Sequence, residues 1–403
     1  MEEGTSSSKK KKKRRIKWKD SRIILISLGN TIILLLLSYI LNNLSFFTGE
    51  NLNQYAWMEW IKGKVGLEEN IDYKDALFIN VAYDKQLVDK CDEFGMPVGK
   101  TDITDRTKLL EFLELLTETN NYKYVILDVR FEKGLESEAD SSLFDKITHM
   151  DKVVCANHKD IELADSALYG KAAVNDYTST IVDTNFKRYK FIRDGQISLP
   201  LHVYDELTGK TIKKHGIFST CNGKLCYNSI FLRFLSDGFS EYDDNGDKVY
   251  YNLGSDILTN YSKSELAALT KDKLVLVGNL VEDVHDTYAG MKPGTVITYH
   301  AIRAILNNEH MVSFSLMFFI GALFFLISLS LFSNESIIKK IPFIKHAKSR
   351  VLRFMLSFIG YAFVLTATTT VLYMFFDQSI SILIPSFFFS IQKSIINHKR
   401  AKS

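Results

Sequence analysis

The chain has 403 residues, 46% of them hydrophobic and 24% charged, and a formal net charge of +3. That length leaves room for two or three domains of roughly 100–200 residues each, and the charge is too small to imply nucleic-acid binding. A mean hydropathy of -0.02 averages apolar runs at both ends with a polar middle, and the five prolines form no proline-rich linker.

Residues 1–22 are polar and basic, with Lys9 through Lys13 running into Arg14 and Arg15, then Lys17, Lys19 and Arg22. Such a segment cannot bury apolar surface. It reads as a cytoplasmic orientation signal drawn to anionic lipid. Residues 23–47 are continuously apolar, and about 20 helical residues cross a hydrocarbon core. The end of this run carries Asn42, Asn43, Phe46 and Phe47 in place of the small residues of a cleavage site, so the segment reads as an uncleaved span. Asn30 within it offers an interhelical hydrogen bond or is tolerated alone. Tyr55, Trp57 and Trp60 follow closely, either at headgroup level or packed onto the next domain.

Residues 48–310 contain no comparable apolar run and form the large domain. Strands are expected at 76–82, 123–129, 152–156 and 274–277, and helices at 104–116, 137–149 and 296–306. This alternation predicts β-α-β units and a mostly parallel sheet, hence an α/β domain. Between 170 and 260 the pattern is less regular. Strand-like runs lie at 172–174, 188–193 and 249–253, a helix-like run at 227–235 and a turn at 243–247. Three more apolar runs follow at 312–332, 354–376 and 380–396, the last interrupted by Pro385 and carrying Lys393. A loop at 334–353 is basic, and so is the end at 397–403. One span before the domain and three after it put all three basic segments on one side of the bilayer and the 48–310 domain on the other, as the positive-inside bias requires.

The four cysteines are Cys91, Cys155, Cys221 and Cys226. Cys221 and Cys226 could close a small loop around Asn222 and Gly223 as a disulfide, or remain thiols, since spacing does not fix geometry. Cys155 lies in an apolar run and reads as a small buried hydrophobe. There is no second pair of cysteines at metal-ligand spacing, no phosphate loop, no nucleophile elbow and no cofactor motif, so neither a metal nor a cofactor is expected.

In chain order, residues 79–84 (Ile-Asn-Val-Ala-Tyr-Asp), 125–131 (Val-Ile-Leu-Asp-Val-Arg-Phe), Glu138, Ala139, Asp140 and Leu143, 273–278, Asp286, Pro293-Gly294 and His300-Ala301 resemble the type-two CHASE domain. That domain is an extracytoplasmic sensory module of bacterial signalling proteins, and the layout of one span before and three after is similar too. The resemblance implies an integral protein of the bacterial cytoplasmic membrane with a periplasmic ligand- or partner-binding domain. Members of that family commonly carry a cytoplasmic output domain after the last span. Here only a few residues follow residue 396, so no catalytic output is expected and a signal would pass to a cytoplasmic or membrane partner.

The candidate site residues are Asp128, Arg130, Asp140, His285 and Asp286. Asp128 ends a strand, and ligands of open α/β sheets bind at that edge. Asp140, His285 and Asp286 come from loops that could converge there, as a polar or cation pocket. The bland alternative has Asp128 bonded to backbone amides or Arg130, Asp140 capping a helix and His285 in solvent. A second class of function is a membrane-anchored hydrolase using Asp128, Asp140 and Asp286. A third is an accessory or transporter subunit, for which the spans offer only Asn30, Thr366, Thr368, Thr369 and Thr370.

Overall fold

The computed structural model describes residues 21–43, 52–67, 73–92, 94–159, 161–176, 188–234, 239–243, 245–333, 349–376, 378 and 381–402. Most of the basic tail, residues 334–348 of the basic loop, residues 377 and 379 between the last two expected spans, and residue 380, the first of the last one, lie outside these residues. The chain forms two compact units, one of Met1–Leu37, Phe314–Val364 and Ile384–Ser403, the other of Ser38–Ser313 and Leu365–Leu383. Along the chain the helices are α1 (Ser21–Asn43), α2 (Leu52–Lys64), α3 (Arg106–Thr119), α4 (Asp140–His149), α5 (Leu199–Thr208), α6 (Lys263–Thr270), α7 (Gly294–Leu306), α8 (Phe314–Phe332), α9 (Arg350–Phe376) and α10 (Leu383–Lys402).

The larger unit is built on six parallel strands: β1 (Ala76–Asn80), β2 (Tyr124–Asp128), β3 (Val153–Asn157), β4 (Ala172–Val174), β5 (Tyr250–Asn252) and β6 (Leu274–Gly278). Their spatial order is β5-β1-β6-β2-β3-β4. The four strands visible as unbroken apolar runs are buried on both faces, as a parallel sheet covered by helices requires. Alternation along each strand sorts the side chains into two layers. Leu77, Ile79, Val125, Leu127, Val275 and Val277 pack under α3, α4 and α6. Phe78, Tyr124, Ile126, Leu274 and Leu276 pack on the other face against α5 and α7.

Helix α3 begins at Asp105, whose carboxylate accepts from the amides of Thr107 and Lys108, and it ends at Asn120 in the left-handed conformation. Helix α7 is buried all round except at Arg303 and Leu306. Its outer face joins a third core of Tyr189, Phe191, Tyr204, Ile230, Leu232 and Phe234. That core overturns the helix expected at 227–235. Ser229–Phe231 is a strand paired antiparallel with Arg188–Lys190, because tertiary pairing of its aromatic and β-branched residues outweighs local helical spacing.

All four cysteines are free thiols, which corrects the disulfide considered for Cys221 and Cys226. Asn222 and Gly223 both take positive φ and make a two-residue hairpin turn. That turn sets a register in which Cys221 faces Lys224 and Cys226 faces Ser219. The two cysteines are therefore diagonal, with Cα atoms roughly 7–8 Å apart in such a pair, whereas a disulfide rarely spans more than about 6.8 Å.

Helices α1, α8 and residues 351–376 of α9 are long and apolar enough to cross a membrane; α8 lies wholly in the smaller unit, whereas the ends of α1 and α9 beyond Leu37 and Val364 belong to the larger one. The last expected span is helical, but as α10 it carries Gln392, Lys393, His398 and Lys399 and is not among these three. It packs beside them, with Phe389 at 6.2 Å from Phe324 of α8 and 5.2 Å from Tyr361 of α9 between ring centroids. Asn30 of α1 donates to Ser328 of α8 at 2.8 Å and accepts from Gln392 of α10 at 2.5 Å. Asn30 thus makes the interhelical bond that its position suggested. Buried Lys393 donates to Ser357 of α9 at 3.0 Å.

Two histidines of the larger unit are buried without charge. Burial, with Arg303, Lys292 and Arg233 nearby, pushes His300 down to about 3, and burial alone pushes His310 down to about 4, both from 6.5. Neither ring nitrogen of His310 has a hydrogen-bond partner, and the ring packs against Phe191 and Tyr204. A depressed folded-state pKa gives stability that is full above the unfolded value and is lost as pH falls through the folded one. The unfolding free energy should therefore drop between pH 6.5 and pH 4. His310→Phe, which keeps the aromatic packing, should remove on the order of 3 kcal/mol of that drop, as read from urea unfolding across the pH range.

Candidate functional site

The carboxyl ends of the strands form a polar edge: Asn80 on β1, Asp128 on β2, Asn157 on β3, Asn252 on β5 and Gly278 on β6, with Asn175 just past β4. This is the edge where open α/β sheets bind ligands. Asn80 donates to Asn252 at 2.8 Å, and its amide oxygen accepts from the Ala82 and Leu280 backbones. It thereby ties the loops that leave β1 and β6.

By alternation the Asp128 side chain lies on the α7 face of the sheet. One carboxylate oxygen accepts from the Thr295 hydroxyl at 2.8 Å, the other from the Asn175 amide at 3.1 Å. Asn175 is held in turn by Thr298 and by the Tyr189 hydroxyl, each donating at 3.1 Å. Two close approaches make this possible. Gly278 is in register with Asp128, and a Cβ there would stand 2.1 Å from the Thr295 hydroxyl. A Cβ on Gly294, the first residue of α7, would stand 2.5 Å from an Asp283 oxygen. The Asp283 carboxylate pairs with the His285 ring at 3.1 Å. It lies at the amino end of α7, where the helix dipole favours negative charge.

Burial raises the Asp128 pKa above the usual carboxylate value. The charge of Asp283 adds to this, while Thr295, Asn175 and His158 oppose it. The arrangement offers a partly buried carboxyl group, a histidine–carboxylate pair, and a ring of hydroxyl and amide groups. Among the described residues no three histidine, cysteine or acidic side chains are grouped to hold a metal ion.

Asp283 therefore stands between two of the candidates, pairing with the His285 ring and repelling the Asp128 charge. Arg130 is exposed at the end of the same segment, and its carbonyl, not its side chain, is engaged, accepting from Arg106 at 2.5 Å. Asp286 is exposed on the hairpin formed by Val284–Thr287 and Gly290–Pro293. Asp140 is in the other layer. It accepts from the Ser137 amide at 2.8 Å and pairs with buried Arg106 at 3.4 Å. Asp128, Asp140 and Asp286 therefore do not converge, because strand alternation sends Asp128 to one face while α4 lies on the other.

Sequence reasoning missed Thr295, Thr298, Asn175, Tyr189 and Asp283. The helix expected at 296–306 in fact begins at Gly294 and so takes in Thr295, and nothing local marked Asn175. Asp84 was also missed as a linchpin. It is buried, accepts from Lys108 at 2.6 Å, and caps the turn of π-helix at Leu253–Leu258 through the Gly254 amide at 3.0 Å.

Asp128 and Arg106 each yield a test. A raised carboxyl pKa gives stability that is full below the unfolded value and is lost as pH rises through the folded one. Asp128→Asn should abolish that loss, so the stability difference between variant and parent should shift in the variant's favour as pH rises from 4 to 7. Burial lowers the Arg106 pKa to about 10 against the opposing pull of Asp140. Arg106→Ala should cost about 3–5 kcal/mol by leaving Asp140 unpaired, whereas Arg106→Met with Asp140→Leu should recover most of it. Both comparisons are read by urea unfolding. No family model, curated protein or solved structure matches the chain.

Proposed function

We propose that the chain is an integral membrane sensory protein of the bacterial cytoplasmic membrane. Its α/β domain lies on the periplasmic side, binds a small polar ligand or a partner, and passes the resulting shift through the membrane helices to a signalling partner. The observation that carries this is the course of α7. Its first two turns supply Thr295 and Thr298 to the Asp128–Asn175 network, and residues 307–313 alone separate its end from the apolar helix α8. A ligand that replaces the Thr295 hydroxyl on Asp128 would act directly on the element that runs into the membrane. The clustering of lysine and arginine in residues 9–22 and 339–353 supports the orientation. The order of motifs resembling the type-two CHASE domain supports a sensory role.

Orientation and binding can be measured separately. Glu111, exposed on α3, is replaced by Cys in a Cys91→Ser background and treated with a membrane-impermeant maleimide on intact spheroplasts. Labelling without lysis is expected, and labelling only after lysis overturns the proposal. A thermal-shift panel of amino acids, sugars, dicarboxylates and nucleotides on the purified protein should contain a compound that raises the midpoint in the parent but not in Thr295→Val.

A further inference from the structure

Helix α2 was not expected from the sequence, and its two sides differ in a way that points to an occupant. Tyr55, Met58 and Lys62, spaced at i, i+3 and i+7, face inward and are 1%, 0% and 4% exposed. Tyr55 stacks on Phe231 at 3.8 Å between centroids and meets Tyr288. The opposite stripe has the same spacing: Trp57 is 50% exposed, Trp60 is 60% exposed, and Lys64 reaches over the Trp60 ring at 5.9 Å. Two bare indoles side by side on a short helix are costly to leave in water.

The depth of this stripe is set by the inward side. Tyr373, one turn before the end of the apolar helix α9, lies 5.8 Å from the Tyr55 ring, bonds to the Glu59 carboxylate, and carries Lys62 above its face at 5.7 Å. The end of α1 is fastened into the same unit. The Tyr39 hydroxyl donates to the Cys226 carbonyl at 2.8 Å, and Asn43 accepts from the Asn228 amide at 2.7 Å. Helix α2 is therefore held at the level where two membrane-crossing helices leave the apolar layer. Tryptophan concentrates at that level because its ring is apolar and its N–H needs a polar partner.

We infer that α2 is an interfacial helix whose Trp57–Trp60–Lys64 stripe seats in the lipid headgroup layer of the membrane that anchors the chain. This rests on the membrane-spanning assignment of α1 and α9. Lys64 supplies a cation for headgroup phosphate. The contact fixes the height and tilt of the α/β domain independently of the flanking helices, and it makes the aromatic cluster under α2 sensitive to the lipid surface.

The test uses the full chain with Trp18→Phe, which leaves Trp57 and Trp60 as the remaining tryptophans of the three present. It is placed one copy per nanodisc of phosphatidylcholine and phosphatidylglycerol. Lipids brominated near the headgroup should remove more than half of the fluorescence, while aqueous iodide should have little effect. Strong iodide quenching with no lipid quenching overturns the inference. So does shielding from both quenchers, which would mean that protein covers the stripe. A second protein has Trp18, Trp57 and Trp60 all replaced by Phe and carries Phe363→Trp on the exposed side of α9. Its single tryptophan must be quenched by lipid brominated deep in the acyl chain. If that control fails, the membrane-spanning assignment itself falls; if it holds and the α2 signal is absent, only the interfacial seat is wrong.

Discussion

A carboxylate at the end of a strand buried on both faces has to be given hydrogen-bond donors by whatever covers the sheet. Asp128 takes them from the first turn of α7 and from Asn175. The hydroxyl of Thr295 can reach it only because the neighbouring strand ends in a residue without a side chain, Gly278. An ionised group left without donors there would cost several kcal/mol. The position of α7 is thus tied to the edge of the sheet at one point, and α7 is in turn the shared wall of two hydrophobic cores. Moving its amino end would disturb both.

Buried charge is handled differently elsewhere in the same unit. Arg106 and Asp140 form an ion pair enclosed beneath Phe131, whose ring lies 4.5 Å from the guanidinium. Arg233 and Glu309 pair at 2.6 Å near the third core. These pairs contribute little net stability relative to apolar replacements, yet breaking one partner is expensive. The first ties the start of α3 to the start of α4, and the second ties the segment after residue 231 to the segment after α7. The Asp128 site differs in that its carboxylate is held by neutral donors, the Thr295 hydroxyl and the Asn175 amide.

The parallel sheet was legible because its central strands are short, unbroken runs of Val, Leu and Ile closed by Asp, Asn or Gly. The start of α3 was legible in Asp105, since its cap is local. Helix α5 left full punctuation as well: Ser198 before it, Pro200 in its first turn and Gly209 in the left-handed conformation at its end. It was missed because it lies in a stretch otherwise dominated by short hairpins. The antiparallel pairing of 188–190 with 229–231 depends on residues some forty positions apart, and no local pattern reports it. For the site, Asp128 was picked from strand-end logic, while two of the loop residues expected to converge on it do not: Asp140 lies in the other layer with Arg106, and Asp286 is exposed on a hairpin. Which face a loop residue serves depends on the side from which its helix packs, and sequence spacing does not carry that.

The strand order also has a consequence for how the domain is made. Both neighbours of β1 come from residues 250–278, so the first strand synthesised waits for the last two before either of its edges is paired. Strand β6 then inserts between β1 and β2, which until that moment have no hydrogen-bonded contact. A nascent chain stopped short of residue 278 would hold an open-edged, aggregation-prone set of strands rather than a smaller stable domain. Completion of the sheet and completion of the Asp128 network therefore coincide, since Gly278 and Thr295 emerge within seventeen residues of each other.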